Sequence, residues 1–145
     1  MRKPSPAKQK TVAAKAVQKA DPKRSFKTGW FEKAAKKAGI TDVELCDAIK
    51  EAMVGQAEDL GGGVWKKRLN KNMDRSIILA KGGTSWIYVY LFSKSDRANI
   101  DDDELKEFKK LATHYGRITN DQLNALVMAR ELTEICNDSD HKKTT

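Results

Sequence analysis

The spacing of apolar residues changes along the chain from helical to alternating and then back to helical. The first helical pattern predicts a helix that ends at Gly39, and its apolar face is formed by Trp30, Phe31, Ala34, Ala35 and Ala38. Thr41 or Asp42 can cap a second helix. The inward face of that helix is predicted to hold Leu45, Cys46, Ile49, Ala52 and Met53, and Gly55 closes it.

The middle of the chain has the pattern of strands. The stretch "DLGGGVWKKRLNKN" leaves helical periodicity, its glycines mark a tight entry, and "VWKKRL" and "RSIILAK" predict two strands. The turn "GGT", residues 82–84, leads into a third strand, "TSWIYVYLFSK". Strict alternation places Ile87, Val89 and Leu91 on one face, and Trp86, Tyr88, Tyr90 and Phe92 on the other. Apolar residues on both faces predict a central strand of a covered sheet, although an aromatic row can also serve as a platform for stacked bases.

Helical periodicity returns after the third strand. "NIDDDELKEFKKLATHYG" predicts a helix capped by Asn99 or Asp101 and ended by Gly116, and a further helix begins near Thr119. Short edge strands can form at residues 25–28 and at "LTEIC". The sequence therefore predicts an α+β fold in which a small antiparallel sheet, a three-stranded meander with added edge strands, is flanked by N-terminal and C-terminal helices.

Charge divides the 145 residues into three regions. Residues 1–25 carry a net charge of +7, whereas residues 26–145 carry only +1, so the high pI describes one end of the chain. We expect a disordered basic arm at residues 1–24, one folded domain at residues 25–137 and a disordered polar tail at residues 138–145. The arm is either a solubilising tail or a non-specific phosphate-binding segment.

Cysteine and histidine usage argues against a disulfide framework and a metal site. Cys46 and Cys136 lie in apolar patterns and are expected to be small buried side chains, and the two histidines lie far apart. No apolar run reaches the length of a membrane span, and the N-terminus has no apolar signal-peptide core. We expect a cytoplasmic protein in a reducing compartment, without a cofactor, a metal or a membrane partner.

Five cations surround the predicted meander. Lys66 and Arg68 share one face of the first strand, Arg75 opens the second, and Lys94 and Arg97 follow the third. Each alone is typical of a solvated surface charge, but pairing of the three strands in order can bring all five to one side of the sheet. The chain offers no Ser-His-Asp set and no paired carboxylates between its strands.

Such a surface suits RNA. Cleavage of RNA by its own 2′-OH requires a base, cations that stabilise the charge of the phosphorane, and an acid for the leaving 5′-oxygen. A lysine crowded by arginines can act as the base, and arginine can bind a phosphate through two N–H groups.

These segments resemble the RelE/HigB-like toxins of type II toxin–antitoxin systems, in the RelE/ParE superfamily. The resemblance covers residues 25–136 and rests on "DLGGGVWKKRL", on Arg75 and on the exit "FSKSDRANI" with its acidic helix start. It implies a toxin that inhibits translation as an mRNA endonuclease on the ribosome, without a metal. It also implies neutralisation by a cognate antitoxin with a helix-turn-helix DNA-binding domain.

The resemblance, together with the positions of the cations, selects the candidate site residues. The candidate catalytic residues are Lys66, Arg68, Arg75 and Lys94, with Lys66 or Arg68 as proton acceptor or phosphate ligand and Arg75 as the main phosphorane stabiliser. The candidate RNA-binding residues are Lys67, Lys71, Arg97 and Tyr90.

The chain departs from the family pattern in two places. Met73 and Asp74 stand where relatives have Gly-Tyr, which puts an acid beside Arg75, and Asp101 lies near the position of a C-terminal catalytic tyrosine. Two alternatives therefore stay open: a nucleic-acid-binding protein without catalysis, and a toxin of the same fold that poisons DNA gyrase.

Overall fold

A six-stranded sheet with four helices forms the part of the chain that the computed structural model describes, residues 24–82 and 85–136. The strands are β1 (Arg24–Thr28), β2 (Glu58–Gly61), β3 (Val64–Leu69), β4 (Asp74–Lys81), β5 (Ser85–Ser93) and β6 (Leu132–Ile135). The helices are α1 (Gly29–Ala38), α2 (Asp42–Met53), α3 (Asp102–Arg117) and α4 (Asn120–Met128). The predicted α+β class is confirmed.

The sheet is larger than the sequence predicts. Its order is β2-β3-β4-β5-β1-β6, and all neighbours are antiparallel except β1 and β5. The predicted meander is β3-β4-β5, and the predicted edge strand at the C-terminal end is β6. The N-terminal strand lies inside the sheet, between β5 and β6, instead of at an edge, and β2 was not predicted.

Apolar side chains cover both faces of the sheet. On one face α1 and α2 pack over a core that includes Phe31, Leu45, Ile49, Ile78 and Tyr88. On the other face α3 and α4 pack over a core that includes Phe26, Val64, Ile77, Leu79 and Leu123. Tyr88 is fully buried, and its hydroxyl donates a hydrogen bond to the Leu45 carbonyl at 2.7 Å. Burial raises the pKa of this phenol well above its usual value.

A β-bulge in β5 overturns the predicted division of that strand's side chains. Ile77 pairs with Tyr90 and Ile78 pairs with Tyr88, so Val89 is the extra residue. The alternation shifts at this point. Leu91 therefore packs with Tyr88 on the face of α1 and α2, whereas Tyr90 and Phe92 join the core beneath α3.

The N-termini of three helices lie at residues that the sequence predicts as caps, whereas the predicted end of α3 is wrong. Thr41, Asp101 and Thr119 are the N-caps of α2, α3 and α4, and Asp101 forms a capping box with Glu104. Gly116 does not end α3, because the helix continues to Arg117.

Two apolar side chains that were predicted to be core are exposed. Trp30 is 53% exposed and Met53 is 42% exposed.

The run of three glycines is a turn between two strands. Gly61, Gly62 and Gly63 all have positive φ, which favours glycine, and they join β2 to β3. A Cβ on Gly62 would meet the side chain of Lys109 at 2.9 Å. The glycines therefore let this turn pass close beneath α3.

The two cysteines form a disulfide, so the prediction of two unpaired thiols is wrong. Cys46 in α2 and Cys136 after β6 have Cα atoms 5.3 Å apart, and 90 positions separate them in the sequence. Cys46 is buried, as predicted. No local sequence signal indicates this pairing, because α2 and the end of β6 meet only in the folded protein.

Several predictions fall outside the described residues. These are the basic arm up to residue 23, the last residue of the predicted domain (137), the polar tail at residues 138–145, and turn positions 83 and 84. Arg24, assigned to the arm, is the first residue of β1, and its guanidinium binds the Glu134 carboxylate at 2.8 and 2.9 Å. Within the described ranges, no helix is long and apolar enough to cross a membrane.

Candidate RNA-binding and cleavage site

Three of the five predicted cations share the sheet face that α3 covers. In the pairing of strands, Lys66 is opposite Ile77, which is opposite Tyr90. Arg68 is likewise opposite Arg75, which is opposite Phe92. Side chains of paired residues point to the same face. These two rows follow the apolar row of Val64 and Leu79 and lie nearer to the hairpin that joins β3 to β4.

Arg68 and Arg75 form a like-charge pair directly across the sheet. Directly opposed residues have Cβ atoms about 4.5–5.5 Å apart, and like charges at that spacing destabilise a sheet. No carboxylate within the described residues forms an ion pair with either guanidinium. Nη1 of Arg75 donates to the carbonyls of Asn72 and Asp74 at 2.8 and 3.2 Å. Arg68 is exposed, and its guanidinium has no hydrogen-bond partner in this part of the chain. The pair can therefore bind an anion through both guanidinium groups.

Lys66 lies next to the arginine pair and is held in place by two contacts. Its Nζ donates to Asn99 Oδ1 at 3.1 Å and forms an ion pair with Glu58 Oε1 at 3.2 Å. The lysine side chain is only 15% exposed, whereas that of Glu58 is 60% exposed. This contact places an ammonium group beside an accessible carboxylate. The ammonium can donate a proton to a bound substrate, and the carboxylate can accept one.

Arg97 fixes the loop between β5 and α3. Its guanidinium binds both carboxylate oxygens of Glu104, donates to the Tyr90 hydroxyl at 3.3 Å, and donates through Nε to the Asn99 carbonyl at 3.0 Å. Hydrogen bonding to Glu104 raises the pKa of Arg97, and the same bond lowers the pKa of Glu104, with a further contribution from the backbone N–H of Asp101. The carboxylate partner of Arg97 is therefore Glu104 of α3, not the adjacent Asp96.

Replacing Glu104 with glutamine is expected to remove the Arg97 ion pair while keeping the capping box, because glutamine also accepts from the Asp101 N–H. A carboxyl whose pKa is lowered on folding stabilises the fold above its unfolded pKa. That contribution is lost as the pH falls through the folded value. Urea unfolding should therefore give a lower midpoint for Glu104→Gln at pH 7, and the difference from wild type should shrink below about pH 4.3, the pKa of an unperturbed glutamate. A pH-independent difference would contradict this assignment.

The hairpin between β3 and β4 borders the site. Asn70, Lys71 and Asn72 all have positive φ, and the Glu44 carboxylate in α2 accepts from the Asn70 backbone N–H. Lys71 is exposed at the tip of the hairpin. The hydrogen bond to Glu44 therefore holds this left-handed turn against α2.

Asp74 does not neutralise Arg75, although the two are adjacent in sequence. Its side chain is buried and accepts from the Asn70 amide at 2.9 Å. It pairs in register with Leu69, which belongs to the core beneath α1 and α2, so it points away from the cation face. The departure from the family pattern at this position therefore leaves the positive charge of the site intact.

The remaining candidates occupy different places. The backbone N–H of Lys94 donates to the Met73 carbonyl at 2.9 Å, so Lys94 lies beside the hairpin, and its side chain is exposed. Lys67 points to the opposite face of the sheet from Lys66, and its Nζ contacts Glu51 Oε1 at 2.7 Å. A groove of about 1030 Å³ is lined by residues of α2, of β3 and of the hairpin between β3 and β4. The basic residues that line it are Lys66, Lys67, Arg68, Lys71 and Arg75.

Aromatic rings adjoin the cations. The Tyr90 ring lies between Trp30 and the α3 residue Phe108, with centroid distances of 5.1 and 5.8 Å. Arg97 also lies over the Phe92 ring, 5.7 Å from its centroid. The rings therefore extend the charged surface towards α1.

Sequence reasoning missed four residues of this site: Trp30, Glu58, Asn99 and Glu104. The capping-box spacing from Asp101 marks Glu104, but nothing local marks its contact with Arg97. The spacing of Trp30 is typical of a helical apolar face and predicts a core position, whereas the residue is 53% exposed. Within the described ranges, no cluster of His, Cys, Asp and Glu side chains is arranged to hold a metal ion.

One comparison with known proteins gives a match. The family model described as the RelE toxin of the RelE/RelB toxin–antitoxin system matches residues 23–135. The match spans all six strands and all four helices. Searches of curated proteins and of solved structures give no significant match.

Proposed function

The chain belongs to the RelE toxin family of toxin–antitoxin systems, and from this premise we propose that it inhibits translation by cleaving mRNA on the ribosome. The observation that carries the proposal is the Arg68–Arg75 pair. Two guanidinium groups that form no ion pair within the described residues face each other on one sheet surface, with Lys66 in the next row. A fold gains nothing in stability from that arrangement, whereas a bound phosphate would stabilise it.

The proposed reaction is an intramolecular transesterification. The 2′-oxygen attacks the adjacent phosphorus, the bond from phosphorus to the 5′-oxygen breaks, and the products are a 2′,3′-cyclic phosphate and a 5′-hydroxyl. Arg68 and Arg75 bind the non-bridging oxygens and stabilise the charge of the phosphorane. No metal or cofactor is required by this scheme.

Two protons must move, and the Lys66–Glu58 contact supplies groups for both. The carboxylate of Glu58 can accept the proton of the 2′-OH, and the ammonium of Lys66 can donate one to the leaving 5′-oxygen. Arg68 cannot take either role, because a guanidinium does not lose its proton at neutral pH. We therefore assign proton transfer to Lys66 and phosphate binding to Arg68. In this scheme Lys66 is the general acid. The chain needs another acid because Asp101 lies near the position at which relatives have a catalytic tyrosine.

Variants of Lys66 test this proposal in a translating extract with a defined mRNA. Lys66→Ala is expected to lower kcat by about 10²–10⁴-fold, since both the charge and the transferable proton are lost. Lys66→Arg keeps the charge but holds its proton too tightly, so kcat should fall to a similar degree while KM changes little. Fragments should carry 5′-hydroxyl ends.

Lys110→Ala provides the matched control. Lys110 is a lysine of α3 whose side chain is 74% exposed, and within the described residues it forms an ion pair only with Glu107. This variant should cleave at the wild-type rate. Full activity of Lys66→Arg would show that Lys66 contributes charge alone, and fragments with 5′-phosphate ends would exclude the 2′-OH mechanism.

We further propose that a cognate antitoxin neutralises the toxin. A partner that covers the cation face would bring acidic side chains against it, because complementary charge favours both the rate and the specificity of association. A helix-turn-helix domain on that antitoxin would bind the operator of the pair.

A further inference from the structure

Trp30 is placed where a nucleobase can stack beside the proposed phosphate site. It lies in the first turn of α1, directly after β1, and β1 pairs with β5 in parallel. Lys27 pairs with Tyr88, so the first turn of α1, which contains Trp30, lies beside the residues of β5 that follow Tyr88. The indole ring stacks on the Tyr90 ring, with an interplanar angle of 25°.

One side of this indole packs on protein while much of its surface stays open. The Tyr90 ring supports Trp30 from one side, yet the residue is 53% exposed. The other two tryptophans, Trp65 and Trp86, contact each other against the opposite core. Trp30 is thus a large apolar ring that is held in a defined orientation but is not used to fill the core.

The cations lie immediately beyond Tyr90. Its hydroxyl accepts from Arg97, and it shares its row across the sheet with Lys66. Arg97 and Lys66 are further joined through Asn99. An RNA strand whose phosphate is bound at Arg68 and Arg75 would therefore have a neighbouring base within reach of the aromatic rings.

From this arrangement we propose that Trp30, supported by the Tyr90 ring beneath it, forms a base-stacking subsite for a nucleotide next to the scissile phosphate. The inference rests on the proposed RNA substrate and adds the binding of an unpaired base. Stacking tolerates different bases because each has a flat π face, so the subsite contributes affinity and orientation to the RNA more than sequence choice.

Binding of a short oligoribonucleotide tests the subsite without depending on cleavage. The probe is a 2′-O-methyl hexanucleotide, which cannot be cut, and its comparison is the same backbone with abasic residues. Trp30→Ala should weaken binding of the base-containing probe by about 5- to 150-fold and leave binding of the abasic probe unchanged. Trp30→Phe should retain most of the affinity, since a phenyl ring also stacks.

Met128→Ala is the control, because Met128 is also an exposed apolar side chain, at the end of α4. The inference is overturned if wild type does not prefer the base-containing probe, or if Trp30→Ala binds that probe as wild type does. The second result would indicate that the indole serves a protein partner, such as the antitoxin. A wild-type protein that binds the probe through Trp30 but never cleaves mRNA would leave the subsite standing and refute the proposed cleavage.

Discussion

Arg68→Ala is expected to lower the rate of mRNA cleavage by about 100- to 1,000-fold, the cost of removing one preorganised group that stabilises charge in a transition state. The same substitution should leave the Tm unchanged or slightly higher. The Arg68 guanidinium makes no hydrogen bond within the described residues, and it faces Arg75 across the strands. Removal of this side chain therefore relieves a repulsion and breaks no hydrogen bond or ion pair within the described residues.

Cleavage rates in a translating extract and thermal unfolding, measured on the same preparations, check both halves of this expectation. Arg68→Lys should recover only part of the activity, because lysine keeps the charge but cannot bind a phosphate through two parallel N–H groups. Arg117→Ala is the matched control, since Arg117 is an exposed arginine in the last turn of α3. A large fall in Tm with little loss of cleavage would show that Arg68 is a structural residue.

Arg75→Ala should lose activity to a similar degree but should also loosen the hairpin, since its guanidinium donates to the carbonyls of Asn72 and Asp74. If the two arginines bind one phosphate, the effects of the single substitutions should not add in the double variant. Strict additivity would indicate that they bind separate groups.

Loss of the Cys46–Cys136 disulfide is expected to lower the free energy of unfolding by about 2–5 kcal/mol. The bond closes a loop of 90 positions, and a cross-link over so long a loop greatly restricts the unfolded chain. It also ties α2 to the end of β6, across the core beneath α1 and α2. Urea unfolding of the oxidised protein, the reduced protein and the Cys46→Ala/Cys136→Ala variant measures this contribution.

The reduced protein and the double variant should unfold at nearly the same urea concentration, well below that of the oxidised protein. Addition of a thiol reductant should not change the stability of the double variant, which makes that variant the internal control. Two titratable thiols in the oxidised preparation, or an unfolding midpoint that reduction does not move, would contradict the pairing.

Local signals predicted the parts of this fold that local interactions determine. Thr41, Asp101 and Thr119 cap their helices because each side chain accepts from a backbone N–H three residues later. The strands of the meander were recognised from runs of apolar residues between turn signals. The shared face of Lys66 and Arg68 followed from the period of a strand alone.

Features that depend on contacts between distant segments could not be predicted in the same way. The bulge at Val89 depends on how β5 pairs with β4. Because of this one extra residue, Leu91 and Phe92 each lie on the face of the sheet opposite to the predicted one. The ion pair of Lys66 with Glu58 requires β2, whose four residues carry no apolar alternation. Trp30 has core-like spacing in α1, and only the position of β5 shows why the indole remains exposed.

Mapping of 5′-hydroxyl ends in cellular mRNA after induction of the protein tests the central proposal most directly. Cells that express wild type should accumulate new 5′-hydroxyl ends within translated regions. Cells that express the Arg68→Ala/Arg75→Ala variant at the same level should not, and those that express Arg117→Ala should resemble wild type. Arrest of translation by wild type without new 5′-hydroxyl ends would contradict cleavage and would indicate a toxin that acts by binding alone.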